Sequence, residues 1–183
     1  MNASVNEILN LASCKDTFAI CDFAMLTIYD DNFFVRNDYD ILSLGQRQHL
    51  QKHLLGLGFK QSSGKVMQKG NICVEFPTPN RLLSASAFQA EFIAPFRTHA
   101  FVVTPTMFAE ALCYAAVQQP DAELDALELQ LKTLIEHCPF NLELWQILAI
   151  NTSIETPVNS LLPALQQHQA KVISSQFKNK RAY

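Results

Sequence analysis

Three carboxylates lie in sequence surroundings that could support chemistry. Asp38 and Asp40 are two residues apart in a stretch that looks like a strand, so their side chains would point to the same face. Glu75 lies in the apolar run 72–77, where a carboxylate needs a partner or water. If its strand lies beside the first pair, the three could bind Mg²⁺, a hard cation that prefers oxygen ligands. Two such ions could direct phosphoryl transfer.

A simpler interpretation of the same residues stays open. Glu75 can point outward from a half-buried strand, with Cys73 beside it on the same face. Aspartates are common turn formers, and an ordinary solvated loop could contain Asp30, Asp31, Asp38 and Asp40. In that case the carboxylates have no ligand to bind.

Other familiar catalytic and cofactor motifs are missing from the sequence. His49 and His53 have the spacing of a metal-binding helix, but Lys52 and no glutamate lies between them, so two solvated histidines are expected. No Gly-x-Ser-x-Gly, Gly-x-Gly-x-x-Gly or P-loop pattern occurs. The cysteine spacing fits neither a zinc site nor a disulfide framework, which predicts inert buried thiols at Cys14, Cys21, Cys73, Cys113 and Cys138. We therefore expect no zinc, no haem and no dinucleotide.

Capping and turn signals predict the elements that would position the carboxylates. Ser43 and Gln46 form a capping box that begins a helix, and Gly58 suits the C′ position after it. The apolar stripe of that helix would contain Arg47, Leu50, Leu54 and Leu57, with Leu44 one turn earlier. A β-hairpin is predicted from 66–68 and 72–76, with a turn between them.

The remaining predicted elements surround this hairpin. A capping box predicts an opening helix over about 4–13, and 18–29 reads as one or two buried strands or as a buried helix. Residues 38–42 look like a strand, 85–93 could be a helix or an edge strand, and 100–103 is a short strand. Four helices then follow: about 105–118, about 121–137, a shorter one with Leu144, Trp145 and Leu148, and one that begins at Thr156-Pro157.

These elements predict an α+β fold, with a small mixed or antiparallel sheet, flanking helices and then a helical C-terminal segment. The predicted division is an α+β core over 1–103, a helical segment packed on it over 104–177, and a basic tail over 178–183. The carboxylates would then belong to the core.

In chain order the sequence contains Arg36, Asp38-Tyr39-Asp40, the helix from Ser43, Leu57-Gly58-Phe59, Val74-Glu75-Phe76 and the helix start Thr104-Pro105-Thr106. This order resembles that of the nucleotidyltransferase-like superfamily, particularly small bacterial members of toxin–antitoxin and phage-defence loci. The resemblance covers roughly residues 20–150. It implies that Asp38 and Asp40 are metal ligands and that Glu75 is the third carboxylate, all three serving catalysis with Mg²⁺.

The resemblance further implies a bacterial cytosolic protein that transfers a nucleoside monophosphate from an NTP to a nucleic-acid or protein hydroxyl. The family has a Gly-Gly or Gly-Ser pair before its Asp-x-Asp motif, where backbone amides approach the phosphates. Residues 22–35 contain no glycine, so backbone amides cannot approach a phosphate as closely there. A catalytically degenerate member is therefore the second form of this hypothesis.

Charge and hydropathy limit the partners of this 183-residue chain. A net charge of −3 argues against a broad nucleic-acid or anionic-membrane footprint. The sequence has no signal-peptide pattern and no apolar run of membrane length, which predicts a cytoplasmic protein. Residues 121–177 contain seven acidic and two basic residues, as in a solvated helix face or a surface for a basic protein partner. A non-catalytic protein-interaction module is thus the alternative function.

Overall fold

The computed structural model of the protein describes residues 17–20, 23–29, 41–78, 86–95, 97–119 and 123–176. In these residues a six-stranded mixed sheet carries helices on both faces, which confirms the predicted α+β class. The predicted opening helix over 4–13 and the basic tail over 178–183 lie outside the described residues. No helix in the described part of the chain is long and apolar enough to cross a membrane.

The strands are β1 (Thr17–Ala19), β2 (Met25–Ile28), β3 (Lys60–Gln61), β4 (Val66–Lys69), β5 (Ile72–Glu75) and β6 (His99–Val103). Their order across the sheet is β1-β2-β6-β5-β4-β3. The central strands β2, β6 and β5 are parallel, and β1, β4 and β3 add to them in antiparallel pairs. Of the alternatives for 18–29, two strands is therefore correct. All four residues of β2 are buried, as expected for a parallel strand covered on both faces.

The helices are α1 (Leu44–Gly56), α2 (Pro105–Val117), α3 (Leu124–His137), α4 (Leu142–Ala149) and α5 (Glu155–Gln176). The capping box at the start of α1 is confirmed, because Ser43 and Gln46 each bind the other's backbone amide. Gly58 has a φ of 88°, the left-handed conformation predicted after this helix. Thr104 caps α2 by accepting a hydrogen bond from the amide of Met107.

Three predicted details are wrong. Leu44 is 70% exposed and does not extend the buried stripe of α1, since only Leu50 and Leu54 are buried on this helix. Of the segment 85–93, Ala90–Ile93 form a short 3₁₀ helix, and the described residues form neither an α-helix nor an edge strand there. The last helix begins at Glu155, one residue before the predicted Thr156-Pro157 start, and the Glu155 carboxylate accepts a hydrogen bond from the amide of Asn151.

The side chains of each strand alternate between two hydrophobic cores on opposite faces of the sheet. On one face Leu26 and Val102 pack with Leu50 and Leu54 of α1. On the other face, residues of β1, β2 and β6 pack with the C-terminal helices around the fully buried Trp145. The half of this second face formed by β3, β4 and β5 carries half-buried or exposed side chains such as Cys73, Glu75 and Gln68.

Candidate functional site

A cavity of about 220 Å³ opens at the edge of the sheet where the parallel strands β5 and β6 end. It is lined by Glu75 at the end of β5, by Phe76 to Thr78 after it, and by Thr104 after β6. Ile41 and Leu42, which end the connection from β2 to α1, complete this side of the wall. Ligands of open α/β sheets bind outside the carboxyl ends of the parallel strands, so this edge is the expected place for a site.

Glu75 is held at the cavity by two cross-strand contacts. Lys65 Nζ lies 2.6 Å from Oε1 and His99 Nε2 lies 3.1 Å from Oε2, while a quarter of the carboxylate side chain stays exposed. The hydrogen bond from Lys65 lowers the pKa of Glu75 most. Partial burial opposes this, and the charge of Lys65 and the contact with His99 lower the pKa further. Glu75 is therefore an ionised carboxylate at neutral pH.

The register of the sheet brings Glu75 next to His99 and close to the backbone of Lys65. Glu75 pairs with Val66 of β4, which directly follows Lys65. On its other side Glu75 pairs with Phe101 of β6, and His99 lies two residues earlier on the same face of that strand. The His99 and Phe101 rings are 4.6 Å apart between centroids. The three-strand arrangement thus brings a cation, a carboxylate and an imidazole to the open half of the sheet.

Arg47 supplies a second positive charge to the cavity. Its Nη1 donates a 2.7 Å hydrogen bond to the Pro77 carbonyl, and its guanidinium lies 5.2 Å from the centroid of the Phe76 ring. Among the described residues, no carboxylate lies within ion-pair distance of this half-buried guanidinium. Among the described residues of its wall, Arg47 and Lys65 are cationic and Glu75 is anionic, so this part of the lining suits an anionic group such as a phosphate.

The structure describes only one of the three predicted site carboxylates, Glu75. Asp38 and Asp40 lie outside the described residues, and the predicted strand over 38–42 is described only at Ile41 and Leu42, which belong to no strand. Ile41, the residue that follows Asp40, lines the same cavity as Glu75. In the described part of the chain, no three His, Cys, Asp or Glu residues form a group that could hold a metal ion. The three-carboxylate site stays a prediction.

The structure describes three of the five cysteines, Cys73, Cys113 and Cys138. Cys113 and Cys138 are fully buried, as predicted, whereas Cys73 is half-buried on β5. Burial raises the pKa of the Cys113 thiol, with a smaller contribution from the nearby Glu110 charge, so this thiol is unreactive. Cys14 and Cys21 lie outside the described residues.

Sequence reasoning missed a buried carboxylate in α2. Glu110 is fully buried and accepts a hydrogen bond from the Ser86 hydroxyl at 2.5 Å. It is the only charged residue of this otherwise apolar helix, and that isolation is a signal visible in the sequence. The bond ties the segment that begins at 86, which includes the cavity residues Ala87 and Gln89, to the core helix.

No protein-family model, no curated protein and no solved structure matches this chain. The resemblance to the nucleotidyltransferase-like superfamily therefore rests on the order of its motifs.

Proposed function

We propose that the protein is a nucleotidyltransferase-like protein that binds an NTP with Mg²⁺ in the cavity at the ends of β5 and β6. One observation carries the proposal. The ionised Glu75 lines the same cavity as Ile41, the residue directly after the Asp38-Tyr39-Asp40 motif. A wall that contains both Glu75 and the residue after the aspartate motif supports the single carboxylate site that the resemblance implies.

The donor set of the proposed site fits a hard cation. Asp38, Asp40 and Glu75 offer carboxylate oxygens, the ligands that Mg²⁺ prefers, and Glu75 is already ionised. When bound, the ion would neutralise phosphate charge and orient the reacting groups. Arg47 and Lys65 would bind phosphate oxygens in place of the glycine pair that this chain lacks.

The proposed reaction is a substitution at the α-phosphorus of the nucleotide. The oxygen of an acceptor hydroxyl forms a bond to phosphorus while the bond to the bridging oxygen of pyrophosphate breaks. The hydroxyl proton passes to a carboxylate of the site, and pyrophosphate leaves with the electron pair of the broken bond. The apolar wall formed by Phe92, Phe101 and Met107 limits the access of water as a competing acceptor.

Thermal unfolding with and without Mg²⁺ or Mn²⁺, combined with each NTP, tests this function. A ligand at 100 times its Kd adds about 2.7 kcal/mol to the free energy of unfolding. For a chain of this size that raises Tm by about 5–10 °C. We expect a shift that needs both metal and nucleotide. The double variant Asp38→Ala/Asp40→Ala should keep or gain basal stability and lose the shift.

The variant Glu75→Gln has a matched control in this chain. The Glu128 side chain is 26% exposed, and its Oε1 lies 2.5 Å from Lys132 Nζ. This ion pair is similar to the one between Glu75 and Lys65. We expect Glu75→Gln to abolish the metal-dependent shift and Glu128→Gln to keep it. A shift that survives in the aspartate double variant would contradict the metal site, since its ligands would then be gone.

The second candidate function is a non-catalytic interaction module. It is favoured by Leu129, Ile147 and Ile150, which are 67%, 42% and 52% exposed in the acidic C-terminal part of the chain. A flat thermal-shift result with every NTP would favour this candidate. Leu129→Gln should then weaken the binding of a basic protein partner, as measured by calorimetry with the purified partner.

A further inference from the structure

One region of this acidic chain contains basic residues and no acidic ones. Residues 41–74 contain no aspartate or glutamate, although the whole chain has 17 acidic residues and a net charge of −3. The same 34 residues contain five of the 14 lysines and arginines, namely Arg47, Lys52, Lys60, Lys65 and Lys69. We call the region 41–74 the basic lobe. Residues 123–176, in contrast, contain six acidic residues and two lysines.

The basic lobe consists of α1, the β3–β4 hairpin and most of β5, at the end of the sheet opposite β1. All four of its lysines are exposed. Lys60 pairs in register with Gln68, which places both on the open face, opposite the buried Met67. The acidic helix α3 contacts β1 at the other end of the sheet, so the two charges are separated in space.

Most of the positive charge of the basic lobe is uncompensated. In the described residues, Lys65 is the one cation of the lobe with a carboxylate partner, Glu75. Lys69 donates to the Leu57 carbonyl at 2.6 Å, and Arg47 donates to a backbone carbonyl as well. Both guanidinium and ammonium groups thus keep their net charge for an anionic ligand.

Three kinds of polyanionic partner could bind the basic lobe: an anionic membrane, an acidic protein or a nucleic acid. The surface composition of the lobe favours one of them. A membrane-binding helix exposes its apolar face, but Leu50 and Leu54 of α1 are buried against the sheet. Protein interfaces are enriched in aromatic residues and depleted in lysine, whereas this lobe exposes four lysines and only two large apolar residues, Leu44 and Leu55. Nucleic-acid interfaces are polar and strongly positive, which is the composition found here.

We propose that the basic lobe binds the phosphodiester backbone of a nucleic acid, without base-specific contacts. The inference does not depend on the proposed catalytic function, because it rests on charges outside the three carboxylates. The proposed nucleic-acid surface and the proposed catalytic cavity share Arg47 and Lys65, which belong to the basic lobe and also line the cavity. If the nucleotidyltransferase function holds, the bound strand would supply the acceptor hydroxyl.

Fluorescence anisotropy with labelled 20-nucleotide RNA and DNA strands, without metal or NTP, tests the inference. If about three to five phosphates are contacted, log Kd should rise with log salt with a slope of about 2–3.5. Binding should therefore weaken by about 15-fold to 130-fold between 50 and 200 mM KCl. A tighter RNA than DNA complex would identify RNA as the ligand, and the reverse result would identify DNA.

Two exposed lysines give a matched pair of charge-reversal variants. We expect Lys60→Glu, in the basic lobe, to weaken binding at least about threefold and to reduce the salt slope. Lys171→Glu, on α5, makes the same change of charge and should leave binding as in the natural chain. The double variant Lys52→Glu/Lys60→Glu should remove detectable binding while its circular dichroism melting curve stays cooperative.

Four results would overturn the inference: no binding of either strand at 50 mM KCl, a salt-independent Kd, an equal loss in Lys60→Glu and Lys171→Glu, or tighter binding of vesicles or an acidic protein than of both strands. The aspartate variant Asp38→Ala/Asp40→Ala separates this inference from the catalytic one. It should bind the strands fully even if every metal and nucleotide experiment fails.

Discussion

Replacing Glu75 by glutamine tests whether electrostatic contacts hold this carboxylate at the cavity. The natural side chain accepts contacts from Lys65 at 2.6 Å and from His99 at 3.1 Å, and it is 25% exposed. Exposed ion pairs contribute about 0.2–1 kcal/mol, and hydrogen bonds to charged groups contribute about 1.5–3 kcal/mol when solvent is excluded. Since Lys65 is itself 54% exposed, we expect the variant to lose about 1 kcal/mol at pH 7.

A loss of this size is measurable against a control in the same chain. It corresponds to a decrease of about 2–4 °C in Tm, or to a lower urea midpoint at unchanged slope. The control variant Glu128→Gln removes an i, i+4 helix pair and should lose only about 0.3–0.5 kcal/mol. A double-mutant cycle of Glu75→Gln with Lys65→Met isolates the pair itself, and we expect a coupling energy of about 0.5–1 kcal/mol.

The pH dependence gives the same prediction a second test. Folding lowers the pKa of Glu75 below 4.5, so the stabilisation is complete above that pH and is lost as the pH falls through the folded-state pKa. The difference in unfolding free energy between the natural chain and Glu75→Gln should therefore shrink steadily below pH 4.5. An equal loss in Glu75→Gln and Glu128→Gln, or a difference that persists unchanged in acid, would refute the electrostatic reasoning.

Three further substitutions test the packing that supports the site. Ser86→Ala removes a donor to the buried Glu110 carboxylate and should lower the unfolding free energy by about 1–3 kcal/mol in urea. Gln169→Leu leaves both backbone groups of Phe140 without their partner, which should cost about 2–4 kcal/mol and speed hydrogen exchange at that amide. Trp145→Ala empties a fully buried site and should cost about 3–5 kcal/mol, seen as a large decrease in Tm by calorimetry.

Local signals in the sequence predicted local structure well. The capping box of Ser43 and Gln46, the left-handed Gly58 and the Thr104 cap are all confirmed. Each depends on hydrogen bonds or backbone geometry within a few residues, so the local residue types are enough to predict it. The width of a buried helix face is not local, and Leu44 is exposed because the sheet beneath α1 covers only part of its apolar stripe.

The environment of Glu75 could not be predicted, because it depends on sheet topology. The sequence indicated that this carboxylate needs a partner, and it has two. Lys65 is reached across the β4–β5 hairpin, whereas His99 is 24 residues away on a parallel strand. β6 lies between β2 and β5, and this strand order is set by tertiary packing, which no short sequence motif determines. The position of Arg47 at the cavity follows from the same packing.

Electron paramagnetic resonance of Mn²⁺, which can replace Mg²⁺ at oxygen-ligand sites, tests the central claim most directly. Mn²⁺ would be titrated into the natural chain and into Asp38→Ala/Asp40→Ala, each with a non-hydrolysable NTP analogue. We predict that the natural chain with nucleotide removes free Mn²⁺ from the spectrum beyond what the nucleotide alone removes, and that the double variant does not. Equal Mn²⁺ binding by both proteins, or none by the natural chain, would contradict a nucleotide site built on these carboxylates.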